Sequence, residues 1–256
     1  MAKKKIDVFG DYSEYYDLLY QDKDYAAEAK YVNDLIKKYS KSPAKNILNI
    51  GCGTGNHDIF FSKLGYEVFG VDISPEMISI AKSKTSGAKN IHFQIEDARN
   101  FSINKKFDVV LSLFHTICYQ TTKEDLIKCF KNAYRHLKKN SLFIFDIWYG
   151  PAVINDKPQV RIKTVSNSTM QIKRKTTPAI FPNENIVNVK FNVSVKKNNS
   201  LVQNIEENHK VRYFFIPELK YFLSLSGFKN LKFLEWMKHG KDPDFNSWNV
   251  CIIAQK

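Results

Sequence analysis

Residues Asn46–Asp72 read NILNIGCGTGNHDIFFSKLGYEVFGVD. The apolar run Ile47–Ile50 predicts a buried strand, and Gly51, Gly53 and Gly55 follow it at once. His57–Leu64 then predicts a helix stopped by Gly65, and Tyr66–Val71 a second strand that ends on Asp72. Alternate glycines let the backbone turn tightly and approach a ligand. The N–H groups at the start of the following helix make an electropositive corner. An acid at the tip of the next strand suits the two hydroxyls of a ribose. The stretch therefore predicts an α/β fold that holds a nucleoside-containing cofactor.

The dinucleotide fingerprint asks for a third glycine three positions after the second. That position is Asn56 here, so NAD and FAD fit poorly. Gly51-Cys52-Gly53-Thr54-Gly55 before a helix, with an acidic strand end, instead resembles motif I of class I S-adenosyl-L-methionine (SAM) methyltransferases. The resemblance implies a Rossmann-like seven-stranded sheet, SAM as cofactor and S-adenosyl-L-homocysteine as product. It places Gly51, Cys52, Gly53 and Gly55 around the methionine half and Asp72 on the ribose. Ile73 and Met77 would lie over the adenine, with ordinary helix packing the alternative for Met77. Asp97, at the end of the third strand Ile91–Ile95, would accept from the adenine amine beside Ala98, and Leu113 would close the set from the fourth strand, Phe107–Phe114. The family carries Asp or Glu two residues before the first glycine, where this chain has Asn49. An amide still accepts a hydrogen bond from the methionine ammonium, but without charge assistance.

The segment before the first strand is crowded with tyrosines, among them Tyr12, Tyr15, Tyr16 and Tyr20. Aromatic rings with polar tips suit the lip of a pocket; the alternative is a strip that packs over a sheet edge. YYDLLYQDKDY followed by the helix Tyr25–Tyr39 is similar to the opening of methyltransferases that act on nucleotide-linked amino sugars, the desosamine and mycaminose N,N-dimethyltransferase type. That resemblance puts Tyr16 and Tyr20 on the cofactor and Tyr16 in the active site.

The chain has 256 residues and a formal net charge of +13. Such an excess suits an anionic partner, but Lys, Asn and Ile are abundant throughout. The arginines that read bases and phosphates best are only Arg99, Arg135, Arg161, Arg174 and Arg212. A nucleic-acid partner is therefore disfavoured, and a small, phosphate-bearing substrate is expected. Cys52, Cys118, Cys129 and Cys251 are scattered without metal-ligand spacing, which indicates no metal site and fits a reducing cytoplasm. MAKKKIDVFG lacks the apolar core of a signal peptide, and no run reaches transmembrane length.

Ligands in open α/β sheets bind beyond the carboxyl ends of the strands. His115 and Tyr119 follow the fourth strand and so face the substrate, with His115 the candidate base because imidazole titrates near neutrality. Ser74-Pro75-Glu76 opens a helix to Lys84, and Lys123–Leu137 forms another with Asn140 as its stop. Ser141–Ile147 is the fifth strand, after which Gly150 and Pro151 break the pattern.

Residues 151–214 alternate with period two, interrupted at Pro178 and Pro182 and turned at Asn198-Asn199-Ser200. They predict an inserted antiparallel sheet acting as a lid or a homodimerisation element. The amino-sugar methyltransferases carry such an insertion at this point. Residues 1–150 then form a cap segment and the SAM-binding core, and residues 215–256 complete the core sheet with the helix Pro217–Ser226 and two last strands. The expected activity is methyl transfer to the nitrogen or oxygen of a nucleotide-linked sugar or another activated saccharide precursor, a phosphoramidate among them. The alternatives are a tRNA methyltransferase and a catalytically silent module of the same fold.

Overall fold

The computed structural model describes residues 8–198 and 200–256. The basic residues before Val8, and Asn199 of the expected hairpin turn, lie outside the described residues. By contacts the chain divides into two units. Among the described residues, one is 24–157 with 212–256 and the other is 8–23 with 158–211. The boundary expected at residue 150 thus lies a few residues later, and the tyrosine-rich opening groups with the inserted sheet instead of with the core.

In chain order, α1 is Ser13–Leu19, α2 Tyr25–Tyr39, β1 Asn46–Ile50, α3 Asn56–Lys63, β2 Glu67–Asp72, α4 Pro75–Lys84, β3 Ile91–Ile95 and β4 Phe107–Ser112. Then come a 3-10 turn at Thr116–Tyr119, α5 Lys123–His136, β5 Leu137–Trp148, α6 Gly150–Asn155 and strands β6 Arg161–Ser166, β7 Met170–Phe181, β8 Ile186–Lys197 and β9 Ser200–Arg212. The chain closes with α7 Ile216–Leu225, β10 Lys229–Glu235 and β11 Asn249–Gln255.

The larger unit is built on a seven-stranded sheet in the order β10-β11-β5-β4-β1-β2-β3. The five strands from β3 to β5 run parallel, and β11 runs antiparallel to both β5 and β10. Parallel strands covered on both faces read as continuous apolar runs, as do Ile47-Leu48, Val109-Val110-Leu111 and Phe143-Ile144-Phe145, all without solvent exposure. Truncating one such side chain, Phe143→Ala, belongs to the class of core losses worth about 3–5 kcal/mol. Helix starts follow their capping residues. Asp24 accepts from the Ala27 N–H at 2.8 Å, Ser74 from Met77 at 3.1 Å and Thr122 from Asp125 at 3.1 Å.

Two details depart from the expectations here. Asn140 does not stop α5. The helix ends at His136, β5 begins at Leu137, and Asn140 takes φ +64° inside that strand. Its N–H donates to the Lys256 carbonyl and its carbonyl accepts from the Gln255 amide, so the end of β11 fixes the irregularity. Gly150 and Pro151 break the strand but open α6, with proline in the first turn, where its missing N–H costs nothing.

The smaller unit is an antiparallel sheet in the order β6-β7-β8-β9 with α1 packed on it. Pro178 does not interrupt β7, which runs on to Phe181. β6 pairs only with Gln171–Thr176, so beyond Thr176 one edge of β7 is open, and Pro178 opposes Val189 of β8. A proline without an N–H is tolerated on such an open edge. Pro182 sits in the β7–β8 turn instead, where its carbonyl accepts from the Asn185 N–H. Tyr12, Tyr15 and Leu19 are buried with Val165, Ile172, Val193, Val195 and Ile205. Two of the tyrosines are therefore core, as the packing alternative had it. Arg174 donates to the hydroxyls of Tyr12 and Tyr20, with its guanidinium 4.8 Å from the Phe191 ring centre. Glu207 accepts from the N–H groups of Phe9 and Gly10. Tyr16 and Tyr20 are half-buried beside this core, ring centres 4.7 Å apart.

Candidate active site

All the site residues described next belong to the larger unit. The carboxyl end of β1 passes into a turn in which Gly51, Gly53 and Gly55 take φ +71°, +56° and +75°. Glycine adopts these values without a Cβ penalty. The turn is tied to the neighbouring strand, since the N–H groups of Gly51 and Cys52 both donate to the Val71 carbonyl, at 2.7 and 3.0 Å. A Cβ on Gly51 would stand 2.1 Å from the Thr116 methyl, whereas a Cβ on Gly53 would meet nothing within 4 Å. Gly51 is thus required by packing, and Gly53 leaves open space.

Asp72 ends β2 beside this turn. One carboxylate oxygen accepts from the Gly53 N–H and the other from the Ser74 N–H, both at 2.9 Å. Burial raises its carboxyl above the ordinary range, against the lowering effect of those backbone donors. Ile73 and Ile95, at the ends of β2 and β3, are 46% and 53% exposed. Two large apolar side chains left in water at adjacent strand ends suit the face of an aromatic ring. Ile73 is the residue expected there; Ile95 joins it because the burial alternation of β3 ends at Gln94, leaving both Gln94 and Ile95 exposed. Met77 is buried at 2% exposure, which favours the packing alternative.

Asp97 is committed locally. Its carboxylate accepts from the Arg99 backbone N–H and from the Arg99 guanidinium, and the same guanidinium reaches Asp125 at 3.0 Å. The Arg99 bonds hold its carboxyl below the usual carboxylate value. An adenine amine would therefore share Asp97 with Arg99. Ala98 is half-buried, its carbonyl taken by Asn132, and Leu113 is buried with its carbonyl on the Thr116 hydroxyl.

Beyond β4, Phe114 and His115 both take positive φ, +60° and +64°. Non-glycine residues seldom do so, and two in succession mark a backbone held by its surroundings. The holding group is Asp146 on β5, 1% exposed, whose oxygens accept from the His115 N–H at 3.2 and 3.3 Å. Its Oδ2 also stands 2.6 Å from His115 Nδ1, outside hydrogen-bond alignment. With Asp146 on the Nδ1 side, Nε2 is the nitrogen left to exchange a proton. The Trp148 ring lies 6.2 Å from the imidazole, centre to centre, and Trp248 lies 5.8 Å from Trp148. Tyr119, in the 3-10 turn after His115, is half-buried. All four cysteines are buried and unpaired in disulfides, and burial raises the thiols of Cys52, Cys118 and Cys251.

Asn49 is 2% exposed. Its amide Nδ2 donates at 2.9 Å to Asp58 Oδ2, from the first turn of α3. Asp58 is fully buried, and burial pushes its carboxyl up to about 7. The pair was not foreseen. The available signal was an acid missing from position 49 and another appearing nine residues later at a helix start. Likewise Asp146 falls inside the expected fifth strand, and its partnership with His115 depends on β4 and β5 being neighbours.

Residues 47–140 match the family model described as a methyltransferase domain. The chain is 32% identical over 149 residues to the dTDP-3-amino-3,4,6-trideoxy-alpha-D-glucopyranose N,N-dimethyltransferase of Streptomyces venezuelae, covering 57% of this chain and 61% of that protein. The match thus spans under two thirds of that relative's length. Among solved structures, a sugar N-methyltransferase from Streptoalloteichus sp ATCC 53650 has a TM-score of 0.80 at 19% identity, covering 100% of this chain and 98% of that one. An S-adenosylmethionine-dependent methyltransferase from Clostridium acetobutylicum ATCC 824 has a TM-score of 0.79 at 20% identity over 94% and 96%. At these identities the two structures establish the fold, that of class I methyltransferases.

Proposed function

We propose, on the premise that residues 47–140 are a methyltransferase domain, whose class takes SAM as methyl donor, that this protein methylates a small polar acceptor, a nucleotide-linked amino sugar. The observation that carries the reading is His115 on Asp146, at the same carboxyl edge of the sheet as the glycine turn. The cofactor's requirements fit this edge: a close backbone turn, open space at Gly53, the Asp72 carboxylate for ribose hydroxyls, and exposed Ile73 and Ile95 for the adenine. The buried Asn49 and Asp58 each keep one oxygen without a hydrogen-bond partner among the described residues, which suits a cationic group. Asn49, Gly51, Cys52, Gly53 and Gly55 would hold the methionine half, and Leu113, Asp97 and Ala98 would border the rest.

When bound, SAM supplies an electrophilic methyl group, so the protein's work is chiefly alignment. Nε2 of His115 takes the proton that the acceptor nitrogen or hydroxyl gives up, and Asp146 holds the ring and stabilises the imidazolium so formed. Tyr119, four residues on, borders the acceptor.

The dTDP-linked amino sugars that similar N,N-dimethyltransferases are named for support an amino-sugar acceptor, and a sequence with few arginines supports a nucleotide-linked molecule over a nucleic acid. The test is a methylation assay with dTDP-linked amino sugars and an RNA control. Methyl transfer to the sugar, lost in His115→Ala while S-adenosylhomocysteine still binds, is the expected result. Methylation of RNA alone, or equal loss of binding and turnover in His115→Ala, would refute it.

A further inference from the structure

Asn49 and Asp58 are both more than nine-tenths buried and joined through one amide N–H, and each keeps an oxygen with no partner among the described residues. Burying two acceptors without donors costs free energy that a protein ordinarily avoids. The arrangement makes sense if a ligand brings the missing donors, and a group with several N–H bonds and a positive charge satisfies both oxygens at once. Asn49 stands two residues before Gly51, and Asp58 lies close enough to Cys52 of the glycine turn, and to Asp72, to raise the Cys52 thiol electrostatically.

We infer that Asp58, acting through the Asn49 amide, is the buried negative charge that positions the ammonium group of the cofactor's methionine half. The inference rests on the cofactor reading above. Asn49 is the contact and Asp58 the positioning residue. By taking the amide N–H, Asp58 fixes which way the amide faces, so that Asn49 Oδ1 is the atom presented. It also supplies the charge that an amide lacks, since bonds to a charged partner are roughly twice as strong as neutral ones.

Other groups facing Asp58 modulate it without replacing it. Asn49 and Cys52 come from β1 and its turn, Asp72 from β2, and Lys84 from α4; Asp72 opposes its ionisation and Lys84 assists. The adjacent His57 is occupied by Glu28 of α2, at 2.7 Å. Burial keeps the Asp58 proton until about neutrality in the ligand-free protein, so a cation binds better once that proton has left.

Calorimetric titration of the full chain with S-adenosylhomocysteine and with 5′-methylthioadenosine tests this. The second ligand shares the adenosine and sulfur but lacks the amino acid. Asp58→Asn should weaken S-adenosylhomocysteine about tenfold, the scale of one charge-assisted bond, and leave methylthioadenosine within about twofold, which also certifies an intact pocket. Asn49→Asp combined with Asp58→Asn should restore the affinity. In the unmodified protein S-adenosylhomocysteine should bind more tightly at pH 7.5 than at pH 5.5, below the range where α-amino groups titrate, and Asp58→Asn should flatten that dependence. Equal losses for both ligands, unchanged S-adenosylhomocysteine affinity in Asp58→Asn, or a double variant no better than the single would overturn the inference. Failure of the unmodified protein to bind either ligand would instead remove the cofactor reading beneath it.

Discussion

Asp58→Asn should make the ligand-free protein more stable, by an amount that grows with pH. The side chain is fully buried and its carboxyl is raised from 3.8 to about 7, chiefly by desolvation. A carboxyl raised on folding binds more protons in the folded than in the unfolded state between those two values. Its contribution is therefore fully present below pH 3.8, declines as pH rises, and is gone above about pH 7. Three units at about 1.36 kcal/mol each give a penalty of about 4 kcal/mol by pH 8, against about 1 kcal/mol at pH 4.5. Asparagine carries no such penalty, and its side-chain oxygen still accepts from Asn49 Nδ2. The stability gap between variant and parent should therefore widen by about 3 kcal/mol from pH 4.5 to pH 8. In a chain of this size that is a widening of about 6–12 °C in Tm. Thermal unfolding followed by circular dichroism at the two pH values reads it directly. A gap that stays constant with pH, or a variant less stable than the parent at pH 8, would show that Asp58 is not a desolvated acid.

Three further outcomes follow from the geometry. His115→Ala should lower kcat by about a hundredfold or more, the scale of a lost general base, while S-adenosylhomocysteine affinity stays within about twofold; Asp146→Asn should lower kcat less. Gly51→Ala should cost about 2 kcal/mol or more in urea unfolding, since it combines a left-handed φ with a clash on Thr116, and Thr116→Ala in the same chain should recover part of it. Arg174→Ala should lower stability by about 2 kcal/mol, because the hydroxyls of Tyr12 and Tyr20 lose a charged donor; unchanged denaturation would show that this network is not structural.

What the sequence made legible was local. α2, α4 and β3 fall on the residues expected, because each is bounded by a cap or a turn and filled by one period. The glycine turn was legible for the same reason, since its residues are neighbours in the chain. What stayed hidden depends on pairing at a distance. His115 could be placed at a strand end, but its hold on Asp146 exists only because Ser112 of β4 lies opposite Phe145 of β5. Pro178 reads as a breaker unless the short length of β6 is known. Tyr12 and Tyr15 read as a pocket lip because their burying partners, such as Ile172 and Val193, come about 160 residues or more later. Asn49 reads as a weakened cofactor contact until α3 brings Asp58 against it.

The same separation bears on how the protein is made. α1 leaves the ribosome well before the surface that covers Tyr12, Tyr15 and Leu19, which is complete only when Ile205 has been added. Those 190 residues, at roughly 5–20 residues per second, leave the aromatic strip uncovered for about 10–40 s in each round of synthesis. The glycine turn and β1–β3, by contrast, have their partners within about seventy residues of one another. Those strands and the turn can therefore assemble early, while α1 waits for the residues through Ile205, an interval in which a chaperone would shield its aromatic strip.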